Sequence, residues 1–474
     1  MRLSVNPSAP SASPADWNAF ARGLDGRLVR PDDAAYDRAR QLHMPRYDAV
    51  RPAGIAYVET PQDVTECIGF ASRMRLPVAV RSGGHNYAGW STGTGLVIDV
   101  SPMDAVQAGS GRAVVGAGTR LIDVYDRLAA GNVSIPAGSC PTVGVAGLTL
   151  GGGVGVTSRA YGLTCDVLES VTVVTADGKV RVCDSDRERD LFWACRGGGG
   201  GNFGVAVEFT FRTHAVGDVT FLELRWPWPK AADVLRGWQR RAPEFPDEVW
   251  TNVRVTSAPG EDSPAVGVMG VSLADPERSL EALVAGIGAE PSERNVESVP
   301  YLDAMKMMAG CPGQSVAECH ARGDLPGQRE DGRFPRADYA AKSHLAHRPL
   351  PDDAVRALLA RFTGGGQVGG RTALLDPMGG AIGRVAPGAT AFPHRAALFS
   401  AQYLADADDL DWLRGTHRAM EPFMGGTAYV NHMDPELENW QRAYYGANLP
   451  RLTEIKAAYD PQGLFRFPQA VTSR

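Results

Sequence analysis

Fifty-five of the 474 residues are glycine, and they are concentrated rather than scattered. They gather around Gly83–Gly95, Gly138–Gly155 and Gly197–Gly204, all in the first half of the chain. Clustered glycine means backbone held at positive φ, or backbone that another group approaches closely. A solvated linker of this kind would carry Ser, Lys or Glu. These runs are instead apolar, which suits backbone laid against a large flat ligand.

The length predicts two or three domains rather than one core. Hydrophobic residues at 44% and charged residues at 22% are globular values. A net charge of −6 with scattered Lys and Arg argues against a nucleic-acid binder. No run approaches the ~18 apolar residues of a membrane span, and the opening Ser/Pro/Ala-rich stretch has no apolar leader core. A soluble, cytoplasmic protein with a flexible segment over residues 1–19 is expected. The seven cysteines (67, 140, 165, 183, 195, 311, 319) are odd in number and widely spaced, so no disulfide framework is expected. Cys311, Cys319 and His320 hint at zinc, but no second CxxC accompanies them, and no metal site is assigned.

Between residues 53 and 211 strands and helices alternate. Ile55–Val58, Pro77–Val80 and Leu96–Val100 read as strands, with a helix begun by Thr60-Pro61 as N-cap and N1 proline. Ala113–Val115 leads to a helix over Leu121–Ala129. Val171–Thr175 and Val180–Cys183 form a hairpin about Asp177-Gly178, and Val205–Phe211 is a further strand. Past about residue 216 the glycine clusters vanish. Strands at Phe221–Trp228, Val266–Leu273 and Ala396–Leu404, with helices at Asp352–Phe362 and Asp408–Met420, predict an antiparallel sheet flanked by helices.

Three stretches carry chemistry. Arg81-Ser82-Gly83-Gly84-His85-Asn86-Tyr87 follows a buried strand and presents several backbone N–H groups at one spot, a nest for pyrophosphate. The run from Pro136 to Gly155 holds Ser139, Cys140, Thr142, Val143, Gly144, Gly147, Gly151, Gly152 and Gly153. Gly151–Gly155 superficially fits the dinucleotide fingerprint, but it lacks the preceding strand and the acidic residue about 20 positions on. The third stretch, Arg196 to Gly204 with Asn202, runs into Val205 and reads as further cofactor-facing backbone.

RSGGH, GSCPTVGVAGLTLGGG, LFWACRGGGGGNFGV and YVNHMD…YYGANLPRL…YDPQGLF occur in this order. Together they resemble the berberine bridge enzyme-like branch of the vanillyl-alcohol oxidase superfamily, over roughly residues 20–215 and 370–470. The resemblance implies an α+β fold: a two-part FAD-binding domain (20–215 and 430–474) and a substrate domain (216–429) built on an antiparallel sheet. It implies FAD bonded to His85 at the 8α-methyl carbon and to Cys140 at C6. Arg81, Ser82, Gly83, Gly84, Asn86, Tyr87, the residues named above from Ser139 to Gly155, Asn202, Gly204, Val205 and Asn431 would hold the cofactor. Cys165 also follows a glycine-rich run, but Pro-Thr-Val-Gly follows Cys140, and Cys165 reads as a core thiol.

Val143 stands where members of the family that use dioxygen carry Val. The Ala428–His432 segment resembles the family's Tyr-x-Asn-Tyr, with His432 in place of a second, often catalytic, Tyr. If this is a strand, alternation puts Tyr429 and Asn431 on one face and His432 on the other, which favours Tyr429 as the base over His432. In Leu398–Tyr403 a Lys common in the family is replaced by Ser400. Gln402 and Asp376 remain as substrate-facing candidates. The expected reaction is two-electron oxidation of an alcohol or hemiacetal by dioxygen, giving ketone or lactone and hydrogen peroxide. Amine oxidation or oxidative cyclisation on the same flavin, and a non-catalytic flavin carrier, are the alternatives. The expected partners are a small organic substrate and dioxygen.

Overall fold

Thr60 caps the helix Pro61–Met74 as its sequence demands. In the computed structural model, which describes residues 12–261, 263–363 and 367–473, the Thr60 hydroxyl accepts the Asp63 N–H at 3.2 Å, and the Asp63 carboxylate accepts the Thr60 N–H at 3.3 Å. This reciprocal pair satisfies two otherwise orphaned donors. The helix connects two parallel strands of a four-stranded sheet, ordered Arg27–Val29, Gly54–Tyr57, Leu96–Asp99 and Val78–Arg81. Only the first strand is antiparallel to its neighbour. The buried Arg81–Asp99 ion pair closes the ends of the last two strands.

A five-stranded antiparallel sheet follows, ordered Val106–Gly109, Arg112–Gly116, Val205–Arg212, Leu168–Val174 and Val180–Asp184. The hairpin about Asp177-Gly178 is its outer edge, with Gly178 at φ +74° as the tight turn requires. The helix Leu121–Ala129 has the bounds read from the sequence.

A seven-stranded antiparallel sheet occupies the middle of the chain. Its order is Glu293–Pro300, Asp218–Trp226, Ala265–Ser272, Val249–Ser257, Arg371–Pro377, Phe399–Asp406 and Tyr339–Ala346. Four of these strands, Val249–Ser257, Glu293–Pro300, Tyr339–Ala346 and Arg371–Pro377, were not read from the sequence. Period-2 alternation divides the sheet's faces. Val253, Val255, Ala373, Leu375, Phe399, Ala401 and Tyr403 join a core with the helices Ala231–Arg241, Glu277–Ile287, Asp352–Ala360 and Leu410–Met424. The alternate residues, Asn252, Arg254, Leu374, Asp376, Ser400 and Gln402, face the opposite way into a cavity.

The C-terminal segment returns to the first half of the chain. Lys456 is buried and donates to the Asn202 carbonyl at 2.6 Å, the Phe465 carbonyl at 2.6 Å and Asp460 at 2.7 Å. Asp460 also accepts the N–H groups of Leu464 and Phe465. Asp460→Ala leaves the Lys456 ammonium buried and unpaired, so it should cost about 3–5 kcal/mol, measurable by denaturant unfolding.

Two expectations need correction. The flexible segment cannot extend through residue 19, because Pro14–Arg22 is a helix with a Ser13/Asp16 capping box. Its Trp17 and Phe20 pack on Phe70 at ring-centroid distances of 4.8 and 4.3 Å; residues 1–11 lie outside the described residues. Cys311 and Cys319 form a disulfide, and His320 bonds Asp123 at 3.1 Å instead of offering a zinc ligand. Among the described residues no helix is long and apolar enough to cross a membrane.

Candidate active site

All three glycine clusters open onto one cavity of about 1430 Å³ between the first half of the chain and the polar face of the seven-stranded sheet. That exceeds the roughly 300–1,000 Å³ of an ordinary small-molecule site, leaving room for a dinucleotide and a substrate together. Much of the wall is bare backbone, from Gly83, Gly84, Gly138, Gly144, Gly147, Gly155, Gly200, Gly201 and Gly204. The first two clusters touch directly: a Cβ on Gly83 would lie 2.2 Å from the Gly144 nitrogen, and one on Gly144 would lie 2.1 Å from the Ser82 hydroxyl. Larger residues would push these loops apart and spoil the cradle. The residues present therefore fit a large, flat cofactor.

His85 and Cys140, far apart in sequence, both line this wall and meet at one hydroxyl just behind it. Thr142 Oγ1 lies 2.8 Å from His85 Nε2 and 4.0 Å from Cys140 Sγ. His85 stacks on His43 at 4.0 Å, and burial holds its ring well below the usual imidazole range, hence neutral. Burial raises the Cys140 thiol. Cys165 is fully buried, off the cavity wall and directed at Asp166, as a core thiol should be.

Ser82, Asn86, Tyr87, Ser139 and Val143 also line the cavity. Arg81, Thr142, Gly151, Gly152, Gly153, Asn202 and Val205 stand one layer behind it and shape the wall. Arg81 donates to the Ala39 carbonyl at 2.8 Å besides pairing with Asp99. The Asn202 side chain donates to Gly198 and accepts from Val471, fastening the C-terminal segment to the third cluster. Val205 is a buried residue at the start of its strand. Gly151 leaves the space that Asn431 enters, since a Cβ there would lie 1.9 Å from Asn431 Oδ1.

The Tyr429–His432 segment is not a strand. Val430–His432 is a 3₁₀ turn, so the alternation that separates His432 from Tyr429 does not apply. Tyr429, Asn431 and His432 all line the cavity. The Tyr429 hydroxyl accepts from Gly153 N–H at 2.8 Å, Val154 N–H at 3.2 Å and Asn431 Nδ2 at 2.8 Å. Burial outweighs these donors and pushes its pKa up to about 12. His432 stacks on Tyr87 at 5.6 Å and meets Tyr429 edge-on at 4.9 Å. Burial lowers its pKa to about 4, and its Nδ1 has no partner.

The sheet supplies the opposite wall. Asp376 pairs in register with Ser400 and accepts from Asn252 at 3.1 Å. Burial raises its pKa to about 6, against the lowering by Asn252 and Arg254. Gln402 donates to the Tyr87 hydroxyl at 2.9 Å. Trp250, Asn252, Arg254 and Tyr339 also face the cavity and were missed in the sequence. The alternation Val249, Thr251, Val253, Val255 against Trp250, Asn252, Arg254 is the signal that would have found the first three. Among the described residues six buried polar atoms on the wall lack a partner: Thr92 Oγ1, Trp250 Nε1, Asn252 Oδ1, Arg254 Nε, Ser400 Oγ and His432 Nδ1.

A glycine-walled cavity roofed by a helix-backed antiparallel sheet fits the class of FAD-dependent oxidoreductases. Comparison with known proteins agrees. Residues 52–184 match the FAD binding domain family, and residues 428–472 match the berberine and berberine-like family. The chain is 31% identical over 467 residues to the uncharacterized FAD-linked oxidoreductase YgaK of Bacillus subtilis (strain 168), spanning 94% of this chain and 97% of that one. It is 29% identical to chitooligosaccharide oxidase of Gibberella zeae over 89% of this chain and 87% of that one. The solved structure of Physcomitrella patens BBE-like 1 superposes with a TM-score of 0.86 at 27% identity, covering 97% and 99% of the two chains. The protein belongs to the berberine bridge enzyme-like family of FAD-linked oxidoreductases.

Proposed function

We propose that the protein is an oxidase that holds FAD by two covalent bonds, through His85 and Cys140, and converts a hydroxyl-bearing substrate to a ketone or lactone. The observation that carries this reading is that those two side chains both line the glycine-walled cavity and both reach the Thr142 hydroxyl behind its wall. FAD, held by this wall, would supply the two-electron acceptor for substrate hydride and a route for those electrons to dioxygen, which would become hydrogen peroxide. The chain's own task is to hold the substrate, orient its C–H bond and take the hydroxyl proton. The sheet face does the holding: the unpartnered atoms of Trp250, Asn252, Arg254 and Ser400 would each be costly to bury dry, and an oxygen-rich substrate satisfies them. A sugar-like or polyhydroxylated compound fits this wall better than an apolar one. The similarity to chitooligosaccharide oxidase points the same way.

The proton goes to His432 Nδ1. Tyr429, favoured by the alternation argument, is a poor base, because its hydroxyl oxygen is already surrounded by three N–H donors and its pKa lies near 12. Its role is to pin the Gly153–Val154 turn against the Tyr429–His432 segment. Asp376 is the second candidate base, since a carboxyl with a pKa of about 6 is well matched to the task.

A panel of alcohols, aldoses and amines tests the reaction class, with anaerobic flavin bleaching as the readout. Bleaching by alcohols or hemiacetals is expected; bleaching by amines alone would replace the reading with amine oxidation, and bleaching by none would favour a flavin carrier. The acceptor is tested separately. Val143 lines the cavity, and its modest size leaves a path for dioxygen. Substrate-reduced enzyme should reoxidise rapidly in air with stoichiometric peroxide, and Val143→Ile should slow that step about tenfold, equivalent to about 1.4 kcal/mol of barrier.

A further inference from the structure

Outside the cavity lining, the edge strand Tyr339–Ala346 and the helix Leu410–Met424 bring three ligating side chains together. Among the described residues, His344, His417 and Glu421 form a group whose ligand atoms all lie within 4.8 Å of one another. His417 and Glu421 are spaced i,i+4 on the helix, so they lie one turn apart on the same face. His344 reaches them from the strand. Its Nε2 is 3.0 Å from Glu421 Oε2, and His417 Nδ1 is 3.9 Å from the same oxygen. None of the three lines the cavity, and the flavin chemistry has no use for them.

We propose that His344, His417 and Glu421 form a divalent transition-metal site, best suited to Zn²⁺, which clamps the helix to the edge of the substrate sheet. The donor set is two imidazoles and a carboxylate, a combination that suits zinc. Tetrahedral zinc, with bonds of about 2.0–2.1 Å, separates neighbouring ligand atoms by roughly 3.3 Å. The His344–Glu421 spacing already meets this; the two rings, stacked at 4.1 Å and 12°, must turn out of their stack about χ2, a soft torsion. His344 also has a second anchor of the kind that orients metal-binding histidines, its Nδ1 lying 3.4 Å from the Tyr403 hydroxyl. The charge of the neighbouring Lys342 is offset by its pairing with Asp434 and Glu436. The half-exposed Glu421 side gives an ion a route from solvent and leaves a fourth position for water.

The clamp would sit beside residues that matter to the cavity. Tyr339 lies on the same strand, and the Ser343 hydroxyl accepts the Tyr429 N–H at 3.4 Å. The expected effect is on stability of this edge, not on flavin attachment.

The test uses tag-free holoenzyme dialysed against chelator and titrated calorimetrically with ZnCl₂. One equivalent should bind, and the melting temperature should rise with Zn²⁺ concentration. Glu421→Gln and His417→Ala should each weaken binding by on the order of 100-fold and abolish the Zn²⁺-dependent melting shift, while flavin content stays normal. Glu421 is half exposed, so Glu421→Gln keeps the test valid if His417→Ala folds poorly. Absence of stoichiometric binding in the wild type, or binding equally tight in Glu421→Gln, overturns the proposal.

Discussion

Replacing His432 with Ala should slow substrate-driven flavin reduction by about 10²–10⁴-fold, the usual cost of losing a general base, with the flavin spectrum and its attachment unchanged. Tyr429, His432 and Asp376 all line the cavity wall, and their environments separate them as bases. At a pKa of about 12, Tyr429 is a phenolate only to about one part in 10⁵ at pH 7. Its oxygen is also committed to the Gly153, Val154 and Asn431 donors. His432 is neutral above about pH 4 and offers an unpartnered Nδ1, while its ring is held between Tyr87 and Tyr429. Tyr429→Phe should therefore lower the reduction rate by only a few-fold.

The pH profile supplies an independent check. A base works in its deprotonated form, so the rate should rise with pH through the base's pKa and level off above it. For His432 that limb lies near pH 4, leaving a flat profile from 5 to 8. A limb near 6, with the large loss moving to Asp376→Asn, would transfer the role to Asp376. A rate still climbing above pH 9, with the large loss in Tyr429→Phe, would return it to Tyr429.

The second large effect concerns attachment. After acid precipitation all flavin should stay with the wild-type protein, and peptide mapping should find it on both the His85 and the Cys140 peptides. His85→Ala and Cys140→Ala should each keep one bond and remain yellow after precipitation. The double variant should release essentially all its flavin to the supernatant, and Cys165→Ala should behave as wild type. The reason is geometric: the His85 and Cys140 side chains line the cavity and share the Thr142 hydroxyl behind it, whereas Cys165 is buried off the wall. Flavin found on the Cys165 peptide would refute this assignment.

Much of the site was legible because its signals are local. The Ser82-Gly83-Gly84-His85 and Gly138–Gly155 runs declare themselves by composition, and the capping pair Thr60/Asp63 and the Asp177-Gly178 turn are read within four residues. The polar strand Val249–Ser257 was equally local in its alternation yet went unread, because Trp250, Asn252 and Arg254 interrupt the apolar run that usually marks a strand. The Tyr429–His432 segment misled for the opposite reason. Four residues can be given a strand period on paper, but the hydroxyl of Tyr429 reaches the Gly153–Val154 amides only through a turn, and those partners lie in a distant part of the chain.

FAD and its anchors at His85 and Cys140 are what the resemblance of the motifs implies; the sequence by itself determined where glycine backbone gathers, the α/β order of the first half and the presence of an antiparallel sheet in the second. These follow from glycine's conformational freedom, from turn and cap chemistry and from periodicity, each carried by neighbours along the chain. Only the tertiary structure decided that Thr142 joins His85 to Cys140, that Asn252 meets Asp376, that His432 keeps an unpartnered nitrogen while the Tyr429 hydroxyl oxygen is engaged, and that His344 faces His417 and Glu421. Each depends on how strands far apart in the chain come into register, and on which atoms lose water when they do. Burial moves Asp376 towards 6, His432 towards 4 and Tyr429 towards 12, and burial belongs to the folded molecule rather than to any segment of it.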